Sequence, residues 1–298
     1  MFVLRQYFLL FLTATIWGTG FIGQKLGMDH ISPFAFTFLR TFIGGLFLIP
    51  VLIILSKVKV KGRSMIRKSH PRKFIMGSVC CGIALICAES FQQFGLVDTD
   101  VNKASFITSL YIVFVPIWSL ILGQKSNRNI VIALIVSVVG LYLMCMKGSL
   151  YLEKGDLLVL IGAACFAVHI LVIAHFVNYV DGVLLSCGQF FVASFLGLIM
   201  MLLTGLPSYE NFILAAPAFI YTGIMSNGVA YTLQVVAQRG VNSTIASLIM
   251  SLESVMGAIF AVLLLHEVMT AKEITGALLM FVAVVIAQLP VKLKKKTD

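Results

Sequence analysis

Apolar runs of about twenty residues recur along this chain, separated by short charged segments, and that pattern constrains the fold more than any other feature. A membrane-spanning helix needs about 20 mostly apolar residues, because the hydrocarbon core is roughly 30 Å thick and each residue rises about 1.5 Å. Ten such runs are read at residues 7–27, 33–55, 74–94, 104–122, 129–146, 155–175, 182–204, 215–236, 243–265 and 271–289. Ten helices of this length use about 200 residues. In a chain of 298 residues that leaves short loops and no room for a folded soluble domain. Charge has been cleared from the runs: charged residues make up 11% of the chain, against roughly 25% in a soluble domain. The first run resembles a signal peptide in position, but it is a full span and nine more follow. The expected fold is all-α and integral to the membrane.

The charge that remains sets an expected orientation. With both termini cytoplasmic, sixteen of the 22 Lys and Arg fall on the inner side, clustered around Lys57–Lys73 and at Lys292, Lys294, Lys295 and Lys296. Five fall outside (Lys25, Lys103, Lys147, Lys154 and Lys272), and Arg40 lies within a span. Such an excess of cytoplasmic cations is the positive-inside bias of a multi-pass protein of the inner (plasma) membrane. It also accounts for the net charge of +10 without a nucleic-acid partner. All six cysteines lie in apolar runs with no CxxC spacing, so they read as small buried space-fillers rather than disulfides or zinc ligands.

The chain repeats itself at about half its length. Residues 104–110 (ASFITSL) echo 246–252 (ASLIMSL), which sets Tyr111 against Glu253. The run beginning at Asn129 echoes that at Glu273, and Ser32, Pro33 and Arg40 have the spacing of Asp181, Gly182 and Gln189. Five spans per half is an odd number, so the second half must enter the membrane upside down. The expected architecture is therefore two inverted five-helix repeats, residues 1–147 and 148–298, as in many secondary transporters.

Ionisable residues inside the runs are the candidates for chemistry. Glu253 falls near the middle of the ninth run, Glu89 in the third, Arg40 in the second and His169 in the sixth. A charge at bilayer centre costs roughly 2.5–3.5 kcal/mol on insertion scales, so these groups should face a polar interior or one another. Arg40 reads equally as a tie between helices, and His169 as the donor of one interhelical hydrogen bond. Polar residues also share helix faces: Thr13, Trp17, Gly20 and Gln24; Ser78, Glu89 and Gln92 or Gln93; Asn227, Tyr231, Gln234 and Gln238. These stripes predict one cavity lined by the first, third, sixth, eighth and ninth spans. Ser247, Ser251 and Ser254 read as close-packing positions. Enzyme signatures are missing: His266-Glu267 lacks the second histidine of a zinc helix, and no P-loop, GxSxG elbow or dinucleotide fingerprint occurs.

Trp17-Gly18-Thr19-Gly20-Phe21, Ser32-Pro33, Arg40, Tyr231, Ser251-Leu252-Glu253, Leu264-Leu265-His266-Glu267 and Gly276 follow one another in an order and spacing that resembles the EamA-type transporters of the drug/metabolite transporter superfamily. The resemblance covers nearly the whole chain. It departs at Ser254, where many members have proline, and at Gln124, where an acidic residue is expected. It implies a ten-helix inverted-repeat carrier of small organic solutes, commonly amino acids or related metabolites, often an exporter. Proton or solute coupling is expected, and no cofactor or metal. The substrate-site candidates are Trp17, Arg40, Glu89, Gln92, His169, Tyr231 and Glu253. The competing expectation is an integral-membrane enzyme acting on a lipid or lipid-linked substrate through Glu89, His169 and Glu253; a passive channel is a third.

Overall fold

The computed structural model describes residues 2–60, 63–64, 69–99, 101–123, 127–145, 153–265 and 269–289. Gln124, His266 and Glu267 lie outside the described residues, as do Lys61, Arg67, Lys68, Lys125, Lys147, Lys292, Lys294, Lys295 and Lys296 of the orientation argument.

Among the described residues, ten helices are long and apolar enough to cross a membrane. The first three spans are α1 (Phe2–Met28), α2 (Pro33–Lys57) and α3 (Pro71–Asp98). The fourth is a broken pair, α4 (Val101–Ser109) and α5 (Tyr111–Ile121), and the fifth is α6 (Arg128–Cys145). In the second half, α7 (Lys154–Phe176) and α8 (Gly182–Thr204) are followed by α9 (Tyr209–Tyr221), a π-helical stretch (Thr222–Tyr231) and α10 (Thr232–Ala237), which together form the eighth span. The ninth is again a broken pair, α11 (Ser243–Met250) and α12 (Glu253–Leu265), and the tenth is α13 (Ala271–Gln288). A two-residue hairpin, Lys59–Val60 with Arg63–Ser64, joins α2 to α3 and was not expected from the sequence.

Local chemistry explains the boundaries. The Ser32 side chain accepts from Ala35 N with proline at the first helical position, and Asp181 accepts from Val183 N and Leu184 N. The repeated Ser-Pro and Asp-Gly pairs are thus helix caps, each relieving the unpaired N–H groups of a first turn. The sixth and seventh spans separate cleanly because Asp181 restarts the helix five residues after Phe176. Three spans run beyond their expected limits by four residues or more: α1 begins at Phe2, α3 covers 71–98, and the eighth begins at Tyr209.

The packing is inside-out relative to a soluble protein. Ile54, Ile75, Phe195 and Leu203 are each 60% exposed or more on the outer surface, whereas Gln6, Thr13, Gln24, Arg40, Glu89 and Gln93 are buried. Apolar side chains gain nothing by leaving lipid, so polar groups collect inside and hold helices together. Cys80 and Cys87 also face outward, which corrects the expectation that every cysteine is a buried filler; all six are free thiols.

The spans pair in a regular way. The fifth packs on the tenth, the second on the seventh, the third on the sixth and the first on the eighth. The third also packs on the seventh as the second does on the eighth, and the first on the ninth as the fourth does on the sixth. Every one of these pairs is its own image, or has its image, when spans one to five are exchanged with six to ten. The fifth and tenth approach most closely at Gly140 and Gly276, where a Cβ on Gly140 would sit 2.7 Å from the Gly276 carbonyl oxygen.

Candidate functional site

At mid-depth the bundle encloses a small cavity of about 40 Å³. The first span contributes Trp17, Phe21 and Gln24; the third, Gln92; the sixth, Phe166, His169 and Ile170; the eighth, Ser226, Tyr231 and Gln234; and the ninth, Glu253. Arg40 of the second span and Thr108 and Tyr111 of the fourth complete the wall. The five spans expected from polar stripes do meet here, and the second and fourth join them.

Arg40 is 2% exposed, with Nη2 3.3 Å from Oε1 of the fully buried Glu89. Asn227 Nδ2 donates to the same carboxylate oxygen at 3.3 Å. Asn227 sits in the π-helical stretch, whose wider turn redirects side chains away from their α-helical positions; such bulges occur frequently at functional sites. The result splits the expected stripe of the eighth span. Asn227 reaches Glu89, Tyr231 and Gln234 face the cavity, and Gln238 donates to the Ile170 carbonyl at 3.0 Å.

Glu253 also lines the cavity, at the first residue of α12 immediately after the break in the ninth span. The matching break at Leu110 in the fourth span brings Ser109 and Tyr111 to it: Ser109 Oγ donates to Glu253 Oε1 at 3.2 Å and the Tyr111 hydroxyl donates at 3.4 Å. Glu253 and Ser254, which follow the ASLIMSL echo, therefore meet Ser105 and Ser109 of the ASFITSL segment. Close approach of α1 to α12 requires glycine at Gly18, where a Cβ would lie 2.6 Å from Gly257 N and 2.9 Å from the Glu253 carbonyl oxygen. Among the described residues no Lys, Arg or His nitrogen lies within 4.0 Å of the Glu253 carboxylate.

Aromatic surface lines the same cavity. Trp17 and Tyr231 meet edge to face with centroids 4.7 Å apart, and Tyr231 also contacts His169 and Phe190. His169 Nε2 is 3.0 Å from Gln189 Oε1 of α8, so it serves as an interhelical tie as well as part of the wall. Gln92 donates to Thr108 Oγ1 at 3.0 Å. Several interior polar atoms have no hydrogen-bond partner within the described protein: Trp17 Nε1, Gln24 Oε1, Arg40 Nε, His169 Nδ1 and Gln234 Oε1. Unpaired buried polar atoms also occur away from the cavity, at Gln6, Ser119 and Ser137 among others.

Six of the seven expected site residues line the cavity, and the seventh, Glu89, stands behind it holding Arg40. Ser78 is a correction: it packs against α8 at Gly188, at the other end of α3, and takes no part in the cavity. Ser254 is another. Ser247 and Ser251 bond back to their own helix as packing residues do, but Ser254 Oγ is 2.8 Å from Ser105 Oγ and 3.1 Å from Ser109 Oγ. Thr108, Ser109 and Phe21 were missed as site residues; the ASFITSL echo carried the signal for the first two.

Ten spans closed round a polar cavity at mid-depth are the architecture of a membrane transporter. The EamA-like transporter family matches residues 4–146 and again 153–288, and the chain belongs to that family. A protein of Archaeoglobus fulgidus, named an uncharacterized transporter, is 31% identical over 281 residues, 94% of this chain and 84% of that one. The uncharacterized transporter YoaV of Bacillus subtilis is 24% identical, covering 89% of this chain and 90% of its own length. One solved crystal structure superposes with a TM-score of 0.74 over 95% of this chain and 96% of the other; at 15% identity it speaks to the fold alone.

Proposed function

We propose that this protein is a secondary transporter, not an enzyme, carrying small amino-acid-like solutes or related drugs by alternating access and working as an exporter. The observation that supports this best is the cavity around Glu253. A carboxylate without a cation, an Arg40 guanidinium with an unpartnered Nε, and the Trp17 and Tyr231 rings in the same cavity would suit a zwitterion with an apolar side chain. Glu253 takes the amine, Arg40 the carboxylate, and the aromatic pair the side chain.

The two halves, residues 1–147 and 148–298, act as inverted five-helix repeats that rock about the cavity. The double family match and the exchangeable pairing of spans support this division. Both termini face the cytoplasm of the plasma membrane.

Reconstitution in liposomes tests the reading. A transporter moves a labelled amino acid or drug from one compartment to the other unchanged; an enzyme alters the molecule and leaves it where it was. Glu253→Gln keeps size and still accepts from Ser109 and Tyr111, so the fold should survive. Its affinity for an amine-bearing solute should fall about ten- to a hundredfold, on the scale of one lost charge-assisted hydrogen bond of roughly 1.5–3 kcal/mol. Unchanged affinity and rate in Glu253→Gln would remove the carboxylate from the binding role.

A further inference from the structure

A second cavity of about 280 Å³ opens toward the membrane face opposite the N-terminus, where α1 and α6 end and α4 and α13 begin. Lys25, Asn102, Cys145 and Glu273 border it, and so do Ser105 and Ser254. Phe21 borders both this vestibule and the mid-depth cavity and so forms part of the wall between them.

A line of hydroxyls crosses that wall. Ser105 Oγ is 2.8 Å from Ser254 Oγ, Ser254 Oγ is 3.1 Å from Ser109 Oγ, and Ser109 Oγ donates to Glu253 Oε1 at 3.2 Å. Ser105 and Ser109 are four residues apart on α4 and so share a face; Ser254, on α12, fits between them. One end of the line borders the vestibule, Ser109 is fully buried, and the other end borders the cavity. A serine hydroxyl both donates and accepts. Three in sequence can therefore pass a proton without any atom but hydrogen changing place.

We propose that Ser105, Ser254 and Ser109 form a proton relay between the vestibule and Glu253, so that the carboxyl exchanges its proton with the face opposite the N-terminus while solute is barred from that path. A proton arriving on Ser105 displaces that residue's own hydroxyl proton to Ser254, which passes its proton to Ser109, which passes its proton to Glu253 Oε1. The hydroxyls then rotate back, and the net change is one O–H bond made at the carboxylate and one broken in the vestibule water. This rests on the reading of Glu253 as the functional carboxylate of the cavity: the same group takes a proton from one side or the solute amine from the other. The remaining titratable groups around the relay are Tyr111 on α5, His169 on α7, Tyr231 in the eighth span and Cys145 on α6 beside Ser254. The charged ones are Lys25 and Glu273 at the vestibule and Arg40 in the cavity. Lys25 is engaged with the Leu96 and Val97 carbonyls and Arg40 with Glu89, so neither supplies the Glu253 counter-charge.

Infrared difference spectroscopy on the full-length protein in liposomes tests the relay with no transported solute. The carboxylic C=O band that vanishes in Glu253→Gln reports this one group, and its shift on perfusion with D2O reports how fast the proton exchanges. Ser254→Ala and Ser109→Ala should each slow that shift by about ten-fold or more, the effect of a modestly raised barrier, while Ser254→Thr, which keeps the hydroxyl, should exchange at the wild-type rate. Wild-type exchange in both alanine variants, or a wild-type protein with no such band at any pH tested, would overturn the relay. Failure of the transport reading would appear instead as absence of solute movement in the liposome assay, with the exchange kinetics unaffected.

Discussion

The Arg40–Glu89 pair is costly to disturb. Both residues are buried, a single contact of 3.3 Å joins them, and Asn227 adds one hydrogen bond to the carboxylate. Breaking a buried pair leaves one desolvated charge with nothing to offset it, at about 3–5 kcal/mol, whereas removing both charges together costs much less. Arg40→Ala should therefore lower the unfolding temperature in detergent well below wild type, and Arg40→Ala combined with Glu89→Gln should recover part of the loss. A double variant no more stable than Arg40→Ala would show the two residues to be energetically independent. Sequence reasoning could name Arg40, Glu89 and Glu253 as groups too costly to face lipid. It could not tell which carboxylate Arg40 would choose, because that depends on which helices touch.

At the scale of elements, irregular helix geometry places the site. The breaks after Ser109 and Met250 bring Tyr111 and Glu253 to the cavity, and the π-helical stretch turns Asn227 onto Glu89 while Tyr231 faces inward. Deleting Ile224 from that stretch should restore α-helical winding and turn one part of the span by about 100° against the other. Circular dichroism should then report unchanged helix content and liposome assays a loss of transport. Wild-type transport by the deletion variant would make the π stretch incidental. Hydropathy alone could not locate these features: a π stretch and an unbroken α-helix have the same apolar composition, and only the repeated ASFITSL and ASLIMSL segments hinted that the fourth and ninth spans share a shape.

At the scale of the whole molecule, the charge bias sets the expected orientation. In a cysteine-free background, single cysteines at Asp29 and Asp98 should react with an impermeant thiol reagent applied to intact cells, and one at Ser69 should not; the reverse would turn the molecule over in the membrane. The number of spans, their limits to within several residues and the list of cavity candidates followed from the sequence, because hydropathy and the cost of charge in lipid act over short stretches of chain. What only the tertiary structure decided is which spans pair, that Ser78 lies away from the cavity, and that Ser254 joins two serines of α4. Those outcomes depend on how surfaces more than a hundred residues apart fit together, and in a membrane, where apolar side chains are as well solvated by lipid as by protein, local hydrophobicity carries no record of that fit.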